Sequence, residues 1–185
     1  MVNNITITSS LEPLLYKHEW VHLAELSRIL KTPHPTLRQH LNFFEKKGIL
    51  SKSIKGRLTL YKIKEDAPLL LEYLVITEKN KLIARCNQEL LLKEITYFFH
   101  SFSNTLLIFG SSVHNLKNAN DIDLLITGEF NKQLLKDFEK RFGVKFHIIS
   151  IKNLLDVSPT LKKEIIEKHL IINNSEEVIK WMLKN

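Results

Sequence analysis

Cysteine is nearly absent. Cys86 stands alone among 185 residues, so no disulfide can close within the chain. Glycine is scarce as well: the five glycines are scattered and form no glycine-rich phosphate loop. No apolar run reaches the roughly 18 residues that a membrane-spanning helix needs. Met1 to Ser10 lacks the basic and apolar blocks of a secretory signal. These absences exclude a disulfide scaffold and a P-loop NTPase. They lead to the expectation of a cytoplasmic globular protein with no membrane partner. His100, His114 and His169 have no ligand spacing, and no Ser-His-Asp or Cys-His arrangement can be read from residue order.

What is present is charge, unevenly placed. The net charge is +7, and residues 1–64 carry all of it, with eleven Lys and Arg against four Glu. Residues 65–185 hold sixteen of each sign. A basic module joined to a neutral one points to a polyanionic partner for the first. The hydrophobic fraction of 44% is ordinary for globular protein, and the length allows two small domains with cores of their own.

The basic module reads as three helices and a hairpin. Leu11 to Glu19 is a first helix with Leu11, Leu14 and Leu15. His22 to Leu30 is a second, with Leu23, Leu26 and Leu30 inward. Lys31-Thr32-Pro33-His34 breaks the chain, and Pro35 suits the first turn of a third helix. That helix runs to about Lys47 and stops at Gly48, a residue suited to a left-handed cap. Leu37, Leu41 and Phe44 fall at i, i+4 and i+7, which fixes its buried face. The opposite face carries Gln39, Asn42 and Lys46, flanked by Thr36 and Arg38. Ile49 to Ile54 and Arg57 to Ile63 read as two strands around the turn Lys55-Gly56. They carry Lys52, Lys55, Arg57 and Lys62.

This pattern resembles the winged helix-turn-helix of prokaryotic transcription regulators over roughly residues 8–64. The residues that carry the resemblance are His22-Leu23-Ala24-Glu25-Leu26-Ser27-Arg28-Ile29-Leu30, the third helix and Glu45-Lys46-Lys47-Gly48-Ile49-Leu50. It implies that the third helix enters the major groove of double-stranded DNA and that the wing meets phosphate or minor groove. Thr36, Arg38, Gln39, Asn42, Lys46, Lys52, Lys55 and Arg57 are the candidate DNA-binding residues.

Lys64-Glu65-Asp66-Ala67-Pro68 is a polar break, and the domain boundary is placed there: residues 1–66, then 67–185. Leu69 to Ile83 reads as a linking helix or a homodimer helix. Gln88 to Phe102 is helical and leads to a short apolar strand, Leu106 to Phe109. Gly110-Ser111-Ser112 turns the chain. Asp121-Ile122-Asp123-Leu124-Leu125-Ile126 reads as a strand with both carboxylates on one face. Lys132 to Phe142 is an amphipathic helix before the strand Val144 to Ile149. Pro159 to Lys168 and Ser175 to Leu183 close the chain as helices, with a short strand at His169 to Ile172.

Gly110-Ser111, nine residues, then Asp121-x-Asp123 in an apolar run resembles the active-site signature of the nucleotidyltransferases of the DNA polymerase beta superfamily. The resemblance implies a nucleotidyltransferase-like domain with a small mixed sheet, so the whole chain is expected to be α+β. It implies nucleotide binding by Gly110, Ser111 and Ser112. It also implies Asp121 and Asp123 as metal ligands and catalytic residues for Mg²⁺, or Mn²⁺, with a nucleoside triphosphate. In the family a third acid lies on a later strand. Here the available positions are Lys145 and His147, and Lys117 is the cation of the loop after Gly-Ser. Lysine cannot ligate Mg²⁺, and histidine suits Mn²⁺ or Zn²⁺ better. The expected function is therefore a DNA-binding transcription regulator whose second domain binds metal-nucleotide or a protein partner with little turnover. An active antitoxin-like minimal nucleotidyltransferase, acting on a protein or small-molecule acceptor, is the alternative.

Overall fold

In a computed structural model the described residues are 6–15, 17, 19–114, 116 and 121–184. The fold is α+β. In chain order the elements are α1 (Glu12–Leu15), β1 (Val21–His22), α2 (Leu23–Leu30), α3 (His34–Lys46), β2 (Leu50–Lys55), β3 (Leu58–Ile63), α4 (Leu70–Cys86) and α5 (Leu90–Phe99). They continue with β4 (Leu106–Phe109), β5 (Ile122–Thr127), α6 (Lys132–Phe142), β6 (Phe146–Ile151), α7 (Pro159–Glu167), β7 (His169–Asn173) and α8 (Ser175–Leu183). Short 3₁₀ turns cover Thr8–Leu11, Gly110–Val113 and Leu154–Asp156. The chain divides into two compact units, Met1–Thr77 and Glu78–Asn185.

In the first unit, α3 forms where the apolar spacing requires it. Leu37, Leu41 and Phe44 are wholly buried, and α3 packs against α2 and β2. Pro35 lies in its first turn, where the missing N–H costs nothing. Gly48, at φ +75, ends it, and the Ile49 N–H returns to the Phe44 carbonyl. β2 and β3 pair antiparallel from Leu50↔Ile63 to Lys55↔Leu58, with Gly56 and Arg57 at the tip. One strand escaped the sequence pattern. Val21 and His22 pair with Tyr61 and Leu60, giving a three-stranded sheet of order β1-β3-β2. A two-residue strand is too short to produce alternation, and His22 doubles as the extended N-cap of α2. The first helix is shorter than its apolar spacing suggests, a 3₁₀ turn followed by α1. The turn at residues 64–68 lies inside this unit. Beyond it, Tyr73 meets Phe44 edge-on at 5.2 Å, and the Thr77 hydroxyl donates to the Thr8 carbonyl at 3.1 Å.

In the second unit, a four-stranded mixed sheet has the order β6-β5-β4-β7. β4 is antiparallel to β5 and β7, and β5 is parallel to β6. Leu106, Ile108, Leu124, Ile126, Leu170 and Ile172 share one core with Leu92, Ile95 and Phe99 of α5 and Phe138 of α6. Asn131 caps α6 by accepting from the Gln133 and Leu134 N–H groups, and Gly143 ends it at φ +65.

On α3 the His40 ring is half-buried, and its Nδ1 has no hydrogen-bond partner among the described residues. Burial holds its pKa below the usual imidazole range. The unfolded chain therefore takes up a proton more readily than the folded one. Stability is full above the ordinary value of about 6.5 and falls as the pH drops toward the folded one. Thermal unfolding across a pH series should show this loss, and His40→Gln should reduce it.

Candidate functional site

The polar residues of α3 fall into two lines. Thr36, Gln39 and Lys46 are exposed on one. Arg38, Asn42 and Glu45 run along the edge that faces the hairpin. Asn42 is half-buried, and its Oδ1 accepts from Lys52 Nζ at 3.0 Å and from the Tyr61 hydroxyl at 3.2 Å. Tyr61 is wholly buried, and that burial pushes its pKa up, so the hydroxyl keeps the proton it donates. Asn42 and Lys52 thus tie α3 to the strands, an anchoring role that their residue types alone do not reveal. Arg38, Lys55 and Arg57 are exposed.

Between α3 and the hairpin lies a cleft lined by His22, Leu23, Ala24, His34, Arg38, Arg57, Leu58 and Thr59. No Asp or Glu lines it. The sequence reading placed Arg38 and Arg57 separately and passed over His22 and His34. Residues 22, 34 and 57 have no periodic relation, and only the packing of three elements brings them together.

In the second unit Asp123 sits in the middle of the sheet, paired with Phe109 on one side and His147 on the other. His147 Nδ1 is 3.0 Å from Asp123 Oδ1, with the histidine side chain 67% and the aspartate 27% exposed. Asp121 is exposed, just ahead of β5. Gly110 adopts φ +72, and a Cβ placed there would lie 3.0 Å from Asp123 Oδ2 and 3.4 Å from Glu164 Oε1. Glu164, on α7, therefore brings a carboxylate to the same spot. It lies on a helix rather than on the later strand where a third acid was sought, so strand alternation could not find it.

The Gly-Ser turn is less open to a ligand than its residues suggest. The Gly110 N–H donates to the Lys168 carbonyl at 3.2 Å. The Ser112 hydroxyl is buried and donates to the Phe109 carbonyl at 3.1 Å. Ser111 is exposed. Lys117 lies outside the described residues. Among the described residues no three His, Cys, Asp or Glu side chains come together as metal ligands. One oxygen of Asp123 is also engaged by an imidazole, a poor neighbour for a hard cation. Asp123, His147 and the Glu164 carboxylate thus meet beside a glycine in the left-handed region.

No helix among the described residues is long and apolar enough to cross a membrane.

A left-handed backbone costs a non-glycine residue about 1–2 kcal/mol. Gly143→Ala, with open space around it, should lose about that much in chemical denaturation. Gly110→Ala should lose more, because its methyl also crowds Asp123 and Glu164. Equal losses would show that the crowding is relieved without cost.

No family model matches the chain, and no curated protein matches it. Among solved structures, that of TrmBL2, an archaeal chromatin protein whose structure shows a novel mode of DNA binding, matches 86% of this chain and 69% of its own. The identity is 18% and the TM-score 0.29. A superposition at that score leaves the functional reading to the residues of this chain.

Proposed function

We propose that the chain is a DNA-binding regulator. Residues up to Thr77 form a winged helix-turn-helix module that lays α3 in the major groove of duplex DNA and sets the hairpin tip on the backbone. The observation that carries this reading is the placement of charge. All of the net +7 falls in residues 1–64, and Arg38, Lys46, Lys55 and Arg57 are exposed on α3 and the hairpin. Phosphate contacts of this kind supply affinity and orientation, and side chains such as Gln39 supply base discrimination.

Binding of duplex DNA by the full chain should weaken steeply with salt, with a slope of ~0.9 per phosphate contact. Lys55→Glu with Arg57→Glu should weaken binding to every sequence. Gln39→Ala should cost on the order of 1–3 kcal/mol at particular base pairs only. Fluorescence anisotropy over a salt series measures both effects. Absent or salt-independent binding would sink the reading.

In this reading residues 78–185 serve as a nucleotidyltransferase-like platform for a ligand or a protein partner, with Asp123 and His147 at its polar centre. Nucleotidyl transfer is the competing reading, and the Glu164 carboxylate beside Asp123 is the observation in its favour. The regulator reading expects little label to be transferred from ATP, CTP, GTP or UTP in the presence of Mg²⁺ or Mn²⁺. Robust transfer that is lost with Asp121→Ala or Asp123→Ala would establish the enzyme instead.

A further inference from the structure

We propose that the cleft between the starts of α2 and α3 and the β2–β3 hairpin is a phosphate site. It takes one phosphodiester of duplex DNA, and His22 and His34 add positive charge to it as the pH falls. This inference rests on the DNA-binding reading and names one of its contact points.

The ionisable side chains of the lining are all basic, set among Leu23, Ala24, Leu58 and Thr59. His22, His34, Arg38 and Arg57 come from three separate elements and line a single cleft with no acid among them. Arg38 and Arg57 bring two positive charges to one cleft, and a bound anion would offset their repulsion. Two guanidinium groups offer forked N–H donors that match phosphate oxygens and stay charged at any working pH. Thr59 brings a hydroxyl to the same lining. Leu23 and Ala24 belong to the first turn of α2 and His34 to that of α3, and neither helix has a side-chain cap. The N-terminal ends of both helices add partial positive charge to a site already defined by the four side chains.

The remaining charges nearby do not change over the relevant pH range. Glu25, on α2, is held by the Lys17 ammonium, which keeps its carboxyl below the usual range, so it stays ionised. Arg28 of α2 and Lys55 of β2 remain cationic. Glu45, on the hairpin edge of α3, lies near Tyr61, whose raised pKa keeps it neutral. His40, on α3, has its pKa lowered by burial, which disfavours its charged form. Imidazole is the side chain whose charge ordinarily changes between pH 5 and 8, and His22 and His34 are the two imidazoles in the lining. A bound phosphate favours their protonated forms, so affinity is gained as the pH falls and lost as it rises.

The test uses the full chain and a fluorescein-labelled duplex, at constant ionic strength, from about pH 8 to about pH 6. The dissociation constant should fall on the order of tenfold over that span, because protonation is coupled to binding. His22→Gln with His34→Gln, checked for folding by circular dichroism, should flatten the profile to less than about twofold. Arg38→Gln should weaken binding at every pH while keeping the slope. The ring signals of His22 and His34, followed by NMR, should move with the duplex and respond far less to inorganic phosphate at the same ionic strength. Salt-dependent binding with a flat wild-type pH profile would overturn the site and leave the DNA reading standing. Equal movement with inorganic phosphate, unchanged by duplex, would assign the cleft to a free anion and overturn the phosphodiester assignment. No binding at any pH or salt would overturn the DNA reading itself.

Discussion

Burying Leu37, Leu41 and Phe44 along one side of α3 determines most of what the first unit can present to a partner. Once that face is turned inward, Thr36, Gln39 and Lys46 can only point outward. The edge carrying Arg38 and Asn42 must then meet the hairpin. Tyr61 enforces the meeting, since a wholly buried phenol needs an acceptor and Asn42 Oδ1 provides it. Lys52 joins the same oxygen. The hairpin is thereby held at one edge of α3, with Arg57 at its tip. Helix, hairpin and cleft follow from one apolar stripe and one satisfied buried hydroxyl.

In the second unit the governing constraint is the sheet. β5 is an inner strand, so Asp123 is held between Phe109 and His147. Its neighbours Ile122 and Leu124 point into the core while it points to the opposite face. Gly110 leaves room for the Asp123 carboxylate and for Glu164 of α7. The arrangement is an acid beside an imidazole, with the Glu164 carboxylate at the same glycine. Fold and chemistry are distinct questions, and side chains decide the second.

Much of this architecture was legible from residue order. The spacing of Leu37, Leu41 and Phe44 placed α3 within a residue or two of its ends. Gly48 marked a helix end, and the strand read at Val144 to Ile149, found at Phe146–Ile151, offered Lys145 and His147, of which His147 pairs with Asp123. Residues 121–126 and 106–109 read as strands because they are short, apolar and bounded by turn residues, and the structure has strands at Ile122–Thr127 and Leu106–Phe109. The parts that stayed hidden share a physical cause, because each depends on a contact between elements distant in sequence. Examples are β1 against β3, Glu164 against Gly110, His169 Nε2 within 3.3 Å of Glu78 Oε1 in the buried core, and the cleft that gathers His22, His34, Arg38 and Arg57. Asn42 shows the same limit in another form. Its residue type suits base recognition, while its surroundings make it a strut.

In the function proposed, DNA meets the first unit through α3 and the hairpin. Backbone amide shift mapping of the ¹⁵N-labelled full chain with a short duplex tests it most directly. The account predicts that the largest changes fall in residues 34–46 and 50–63, with the strands β4 to β7 undisturbed. Changes concentrated in residues 78–185, or no changes at all, would contradict it.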